Sequence, residues 1–191
     1  MVERNAIIRK LPAVETLGST SVICSDKTGT LTQNRMTVVR TFAESKIEPF
    51  SREGETPPEE HSPSTSKSDE LIVYATLCTD GTVENIDGEW RHIGDPTETA
   101  IVAAALRLGI TKSDLAERYS RVGEIPFDSD RKLMTTINRK EGDEGKFLVI
   151  VKGAPDILLS RCSSGDVDSA PDANEKMSRE ALRVLAVGYK E

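Results

Sequence analysis

An aspartate followed by small and polar residues is the strongest chemical feature of this sequence. The heptapeptide Asp26–Thr32 (DKTGTLT) comes directly after the β-branched run Ser21–Ser25. A carboxylate can attack a phosphoryl group and hold it as an acyl phosphate. Lys27 and a magnesium ion would offset negative charge, while a turn at Gly29 would point backbone N–H groups at phosphate oxygens. The alternative is a polar turn in which Asp26 caps nearby N–H groups, but the full heptapeptide favours phosphoryl chemistry.

A second polar motif, Gly94–Ala100 (GDPTETA), opens an apolar helical run. Asp95 suits the N-cap of a helix, and Pro96 suits the first helical position. Glu98, three residues after Asp95, would complete a capping box by reaching back to the backbone of the N-cap. Taken alone, the motif therefore predicts the start of a helix.

An aromatic ring and a cation share the segment Ile125–Lys132 (IPFDSDRK). The ring of Phe127 could stack on a base, an interaction worth about 1–3 kcal/mol in nucleic-acid complexes. A segment of this kind seen alone is more typical of a core aromatic residue with solvated charges.

The segment Val151–Asp156 (VKGAPD) follows an apolar run and begins a helix. Gly153 would allow a ligand to approach the backbone closely. Lys152 would attract a polyanion from the mouth of a pocket.

Taken together, these segments resemble P-type cation-transporting ATPases. DKTGTLT is similar to the phosphorylation motif of that family, which implies that Asp26 becomes the covalent phosphoenzyme, assisted by Lys27 and Thr28. The resemblance also implies ATP as substrate and Mg²⁺ as cofactor, with Asp26 and Thr28 holding the metal only in the complete protein. The stretch Ala6–Val38 resembles the calcium-pump branch more than the copper or potassium branches.

The remaining motifs imply a nucleotide site by the same resemblance. GDPTE is similar to a motif whose glutamate, here Glu98, approaches the amino group of adenine. The family's adenine-stacking strand corresponds to Phe127 and Lys132. VKGAPD looks like the KGAPE signature, which assigns Lys152 and Gly153, although Asp156 replaces the usual glutamate.

Near the end of the chain, the segment Ala181–Ala186 (ALRVLA) is similar to the family's closing strand. The arginine of that strand reaches the phosphates of the nucleotide, which assigns Arg183. The five segments occur in the family's order and span nearly the whole chain. The family's magnesium-binding downstream motifs, its TGE loop and its membrane helices are absent, so we expect a fragment that binds ATP weakly and does not phosphorylate itself.

The elements that must position these residues suggest an α+β fold. We expect a mostly antiparallel sheet flanked by helices in residues 36–191, with strands at Met36–Phe42 and around residues 121–151. Residues 1–35 would belong to an incomplete α/β phosphorylation domain, in which Ser21–Ser25 forms a buried strand. The Pro-, Glu- and Ser-rich residues 44–68 predict a mobile surface loop. Helices are expected over these ranges: 69–79, 95–108, 111–119, 154–161 and 173–181.

Composition excludes several other classes of protein. The 191 residues carry a net charge of -7, which argues against a nucleic-acid partner. The apolar stretch Ala100–Leu106 is far shorter than the roughly 20 residues that span a bilayer, so we expect this fragment to be soluble. The family resemblance implies a position at the cytoplasmic face of a membrane in the full-length protein. Cys24, Cys78 and Cys162 are far apart and indicate reduced thiols. Neither a P-loop nor a Rossmann glycine motif occurs.

Two alternatives remain open at this stage. A phosphatase of the haloacid-dehalogenase type also uses an aspartate at a strand end, but it usually carries a second Asp two residues later, where this sequence has Thr28. A non-catalytic nucleotide-sensing module would explain a binding site but leaves DKTGTLT without a purpose. The other domains of the same pump are the partners that the family resemblance implies.

Overall fold

The computed structural model describes residues 18–22, 24–26, 32, 35–50, 66–142 and 145–191. The chain divides into two compact units, residues 1–35 and residues 36–191, and each unit is described by itself. Among the described residues, no helix combines the length and the apolar character needed to cross a membrane.

In the first unit, the predicted buried strand Ser21–Ser25 is wrong for the residues that can be described. Residues 21, 22, 24 and 25 are exposed and have no strand conformation, and Val22 is 73% exposed. A strand satisfies its backbone N–H and C=O groups by pairing with a neighbour. The described part of residues 1–35 contains no second strand with which this run could pair.

The second unit begins with an antiparallel hairpin of β1 (Arg40–Ala43) and β2 (Lys46–Pro49). The strand expected at residues 36–42 is therefore present but begins later. The mobile loop predicted for residues 44–68 is wrong at its start, because residues 46–49 pair with β1, and at its end, because residue 67 begins a helix. Residues 51–65 of that loop lie outside the described part of the chain.

A second hairpin, of β3 (Thr82–Ile86) and β4 (Glu89–Ile93), was not predicted. Its turn is Asp87-Gly88, and both residues have positive φ, 55° and 85°. An Asp-Gly pair with this geometry is the turn that matches the twist of two-residue hairpins. The Asp87-Gly88 dipeptide is thus a feature of the sequence from which this hairpin could have been predicted.

A four-stranded antiparallel sheet forms the centre of the second unit. Its neighbouring strands are, in order, β5 (Tyr119–Asp128), β6 (Leu133–Lys140), β7 (Phe147–Gly153) and β8 (Ala186–Lys190). The hairpins expected around residues 121–151 are confirmed. With the helices, this sheet gives the predicted α+β class.

The described part of the second unit contains five helices near the expected positions. They are α1 (Lys67–Leu77), α2 (Pro96–Arg107), α3 (Lys112–Arg118), α4 (Pro155–Leu159) and α5 (Ala170–Arg179). The first three begin at N-cap side chains that accept backbone N–H bonds, namely those of Ser66, Asp95 and Thr111. Such caps satisfy donors that have no partner within the helix, so local sequence fixes these starts.

The core lies between the sheet and the helices α1 and α3. One face of β6 and β7 packs there, and the buried cluster comprises Leu77, Cys78, Leu115, Met134, Leu148 and Ile150. A second cluster joins α1 to α2 through Ile72, Ala104, Ala105 and Leu108. The apolar stretch Ala100–Leu106 is buried in α2, so it serves this packing.

Candidate functional site

The N-terminus of α2 carries the first predicted site residue, Glu98. The Asp95 carboxylate accepts a hydrogen bond from the Thr97 N–H at 2.8 Å, which confirms the N-cap. The predicted capping box is wrong, because Glu98 does not turn back to Asp95. Its Oε2 instead accepts hydrogen bonds from the backbone N–H groups of Asp80 and Gly81, at 3.0 Å each. Two donors from another segment outcompete the single local one, and they aim the carboxylate away from its own helix.

Glu98 also forms an ion pair with Lys152, 54 residues further along the chain. The Lys152 Nζ lies 2.9 Å from Glu98 Oε1 and donates to the Thr79 hydroxyl at 2.8 Å. The Lys152 side chain is 7% exposed and the Glu98 side chain is 19% exposed. The predicted position of Lys152 at the mouth of a pocket is therefore wrong. Its place on β7 directs it under the helices, where it has two fixed acceptors.

Phe127 lies on β5, and 63% of its surface is exposed, so it is not a core aromatic residue. The register shift between Ile125 and Asp128 leaves Pro126 and Phe127 opposite Met134. Met134 in turn pairs with Lys152 on β7. Phe127 and Lys152 therefore share one row of the sheet, with backbones about 10 Å apart at the usual strand spacing.

Lys132 and Gly153 contact each other through the backbone. Lys132 is exposed, has a positive φ of 55°, and accepts a hydrogen bond from the Ala154 N–H at 3.1 Å. A Cβ added at Gly153 would lie 2.1 Å from the Lys132 carbonyl oxygen. The close approach for which Gly153 was proposed is thus made by this chain's own backbone. It holds the turn that carries Lys132 against β7.

Arg183 precedes β8 and is exposed. Its guanidinium donates to the Thr97 hydroxyl at 3.1 Å, which brings it to the N-terminus of α2. Burial alone would raise the pKa of the Asp95 carboxyl, but hydrogen bonds from Thr97 and the charge of Arg183 hold that pKa below its usual range. The start of α2 therefore collects Glu98, Arg183 and an ionised Asp95.

Replacing Asp95 should show how far the cap supports this end of the site. We expect Asp95→Ala to lower the free energy of unfolding by about 1 kcal/mol at pH 7. Asp95→Asn keeps the cap but cannot ionise. Because the folded-state pKa of Asp95 is depressed, its ionisation stabilises the fold above the unfolded pKa, and this contribution is lost as pH falls through the folded value.

Urea denaturation of the parent and both variants between pH 7 and pH 2 tests this expectation. The stability of the parent relative to Asp95→Asn should fall with decreasing pH in the acid range. A constant difference between these two proteins across the whole pH range would contradict it.

The first unit holds the candidate phosphoryl acceptor. Asp26 is exposed, whereas Lys27 and Thr28 lie outside the described residues. No group of three or more His, Cys, Asp or Glu side chains in the described part of the chain could hold a metal ion. Carboxylate and hydroxyl oxygens are ligands that magnesium accepts, so the residue types of Asp26 and Thr28 are compatible with the magnesium role that the family resemblance implies, which stays a prediction.

The linker Thr79–Gly81 is the part of the site that sequence reasoning missed. Its Thr79 hydroxyl accepts a hydrogen bond from Lys152, and its Asp80 and Gly81 N–H groups donate to Glu98. The only local signal was the turn-forming pair Asp80-Gly81 between a helical run and a strand. Nothing in that pair indicates which distant side chains it contacts.

One family model and several known proteins are similar to this chain in sequence. A family model described as P-type ATPase, cytoplasmic domain N, matches residues 67–191. Over its whole length the chain is 43% identical to a calcium-transporting ATPase from Listeria monocytogenes and covers 22% of it. It is 39% identical to a calcium-transporting ATPase from Bacillus subtilis and 37% identical to the cation-transporting ATPase pma1 from Synechocystis, covering 23% of each. The chain thus spans about a fifth of the length of these relatives.

Proposed function

This chain belongs to the P-type cation-transporting ATPases, and from that premise we propose that it binds ATP and presents it to a phosphorylatable aspartate, Asp26. The names of the similar proteins support calcium as the transported cation of the larger pump. The family model describes a cytoplasmic domain, which supports a position at the cytoplasmic face of a membrane. The partners would be the other domains of the same pump.

The observation that carries the proposal is the contact of Glu98 with Lys152, a residue that shares a row of the sheet with the exposed Phe127. An acid and an amine from distant segments lie 2.9 Å apart, on a row of the sheet that also holds an aromatic side chain with an open face. Adenine would stack on the ring of Phe127 and turn its amino group to the Glu98 carboxylate. Arg183 and Lys132, both exposed, would contact the remainder of the nucleotide.

In this pocket Lys152 would act on the adjacent Glu98 carboxylate. An ammonium group has three donors, and two of those of Lys152 are used by Glu98 and Thr79. Its buried position suits neutralising the Glu98 carboxylate next to a base better than capturing phosphates from solvent. A carboxylate paired with an ammonium group offers acceptors only, which suits the amino group of adenine.

The proposed reaction is an attack of an Asp26 carboxylate oxygen on the γ-phosphorus of ATP. The bond from that phosphorus to the β,γ-bridging oxygen breaks, ADP leaves, and Asp26 carries an acyl phosphate. Magnesium would offset charge on the transferred group. This chain's part is to hold the nucleotide and to supply the nucleophile, and we expect the 191-residue chain alone to bind ATP without phosphorylating itself.

The binding proposal is tested by calorimetric titration of the parent chain and Phe127→Ala with ATP. We expect Phe127→Ala to weaken ATP binding about fivefold or more, because stacking of a base on an aromatic ring contributes about 1–3 kcal/mol.

Ile125→Ala is the matched control, since Ile125 is also an exposed apolar residue of β5, 51% exposed. It should leave the affinity unchanged. Equal affinities of Phe127→Ala and the parent chain would remove the stacking role and the pocket built on it.

A further inference from the structure

Two cations outside the motifs, Lys112 and Arg121, bind carbonyl oxygens of the linker Thr79–Gly81. The Arg121 guanidinium donates to the carbonyl oxygens of Leu77 and Thr79 at 2.9 and 3.1 Å. The Lys112 amine donates to the carbonyl oxygens of Thr79 and Gly81 at 2.9 and 3.0 Å. The last carbonyl groups of a helix lack partners within the helix, so these cations complete the end of α1 and the linker after it.

The same linker carries the groups that hold Glu98 and Lys152, the two side chains proposed to lie next to the base. Its Asp80 and Gly81 N–H groups donate to one oxygen of Glu98, and its Thr79 hydroxyl accepts from Lys152. The Thr79–Asp80 and Asp80–Gly81 peptide units thus donate their N–H groups to Glu98 and present their carbonyl oxygens to Lys112, at 2.9 and 3.5 Å. A shift of the linker would move the Glu98 carboxylate with it.

The linker, Lys112 and Arg121 border a common cavity. This cavity has a volume of about 440 Å³ and is lined by Thr79, Asp80, Lys112 and Arg121 among others. Arg121 is itself fixed by the carboxylates of Asp80 and Glu124, at 2.5 and 3.0 Å. Lys112 is half-buried, and this burial, together with the nearby charge of Arg121, lowers the pKa of its amine.

We propose that Lys112 and Arg121 are positioning residues that fix the Thr79–Gly81 linker and thereby the Glu98 carboxylate that selects adenine over guanine. The proposal rests on the proposed nucleotide site. Guanine presents a carbonyl oxygen where adenine presents an amino group, so a fixed carboxylate repels guanine and accepts from adenine. A loosened carboxylate loses part of that discrimination.

The test measures dissociation constants of ATP and GTP for the 191-residue chain and for Lys112→Met, Arg121→Met and Arg121→Lys. We expect the parent chain to prefer ATP, and both methionine variants to lower the ratio of the GTP constant to the ATP constant about tenfold, the equivalent of one hydrogen bond to a charged group. Arg121→Lys keeps the charge and should restore part of the ratio. Hydrogen exchange at the amides of Asp80 and Gly81 should accelerate in the methionine variants.

Arg118→Met is the matched control, because Arg118 is an exposed cation of the same helix as Lys112, and it should leave the ratio unchanged. A variant that is merely less stable lowers the bound fraction of both nucleotides equally, so an unchanged ratio in the methionine variants overturns the inference. If Arg121→Met does not fold, Lys112→Met and Arg121→Lys give the same comparison.

The outcomes separate this inference from the proposed function. A parent chain that does not bind ATP overturns both. A parent chain that binds ATP and GTP equally overturns the positioning role and the Glu98–adenine contact, while ATP binding itself stands. A parent chain in which Phe127→Ala weakens binding while the Lys112 and Arg121 variants keep the parent ratio overturns the positioning role alone.

Discussion

Replacing Gly153 with alanine should lower the free energy of unfolding by about 3 kcal/mol, the upper part of the usual range for overpacking a filled site. The added Cβ would lie 2.1 Å from the Lys132 carbonyl oxygen and 2.8 Å from Leu133 Cδ2. The first neighbour is backbone, and it accepts the hydrogen bond of Ala154, so it cannot move without breaking that bond. Urea denaturation of Gly153→Ala and the parent chain measures the change.

Gly188→Ala is a matched control for this substitution. Gly188 lies in the same sheet on β8, and the nearest atom to its added Cβ, Cys162 Sγ, is 3.5 Å away, an ordinary contact distance. We expect a change within about 0.5 kcal/mol there. Equal effects of the two substitutions would show that the turn carrying Lys132 moves aside freely.

Lys152→Met should also destabilise the fold by about 3 kcal/mol, at the low end of the cost of leaving one charge of a buried pair without its partner. The low end applies because Glu98 keeps two N–H donors from the linker. Lys190→Met, at an exposed position of β8, is the control and should change stability by less than about 0.5 kcal/mol.

A double-mutant cycle assigns this loss to the ion pair. Glu98→Gln in the Lys152→Met background removes the uncompensated charge, so the double variant should recover part of the stability. If the losses of the two single variants simply add, the charge on Glu98 is not the source of the effect. Loss of ATP binding in Lys152→Met without a loss of stability would instead place the amine against the ligand alone.

The sequence predicted best those features that are local in the chain. The start of α2 was predictable because Asp95 caps the neighbouring Thr97 N–H, and the β6–β7 hairpin was predictable from its apolar runs. The β3–β4 hairpin was equally local, and the Asp87-Gly88 turn would have predicted it. The strand expected at residues 21–25 required partners that the described part of its unit does not contain.

The site was less predictable because its contacts join distant segments. The predicted capping box paired Glu98 with the nearby N-cap of its own helix. In the structure Glu98 instead contacts Lys152 and the linker Thr79–Gly81. Local patterns carry no information on which of two competing donors a carboxylate meets. The burial of the Lys152 side chain likewise depends on the helices that cover β7. Sequence motifs thus marked the residues, while their mutual contacts came from the fold.

The pairing of Met134 with Lys152 restricts where this chain can change in length. Successive side chains of a strand point to opposite faces, so inserting or deleting one residue within β7 before Lys152 would turn that lysine away from Glu98 and expose it on the other side of the sheet. A change in length that leaves both Leu133–Lys140 and Phe147–Gly153 intact would keep this register.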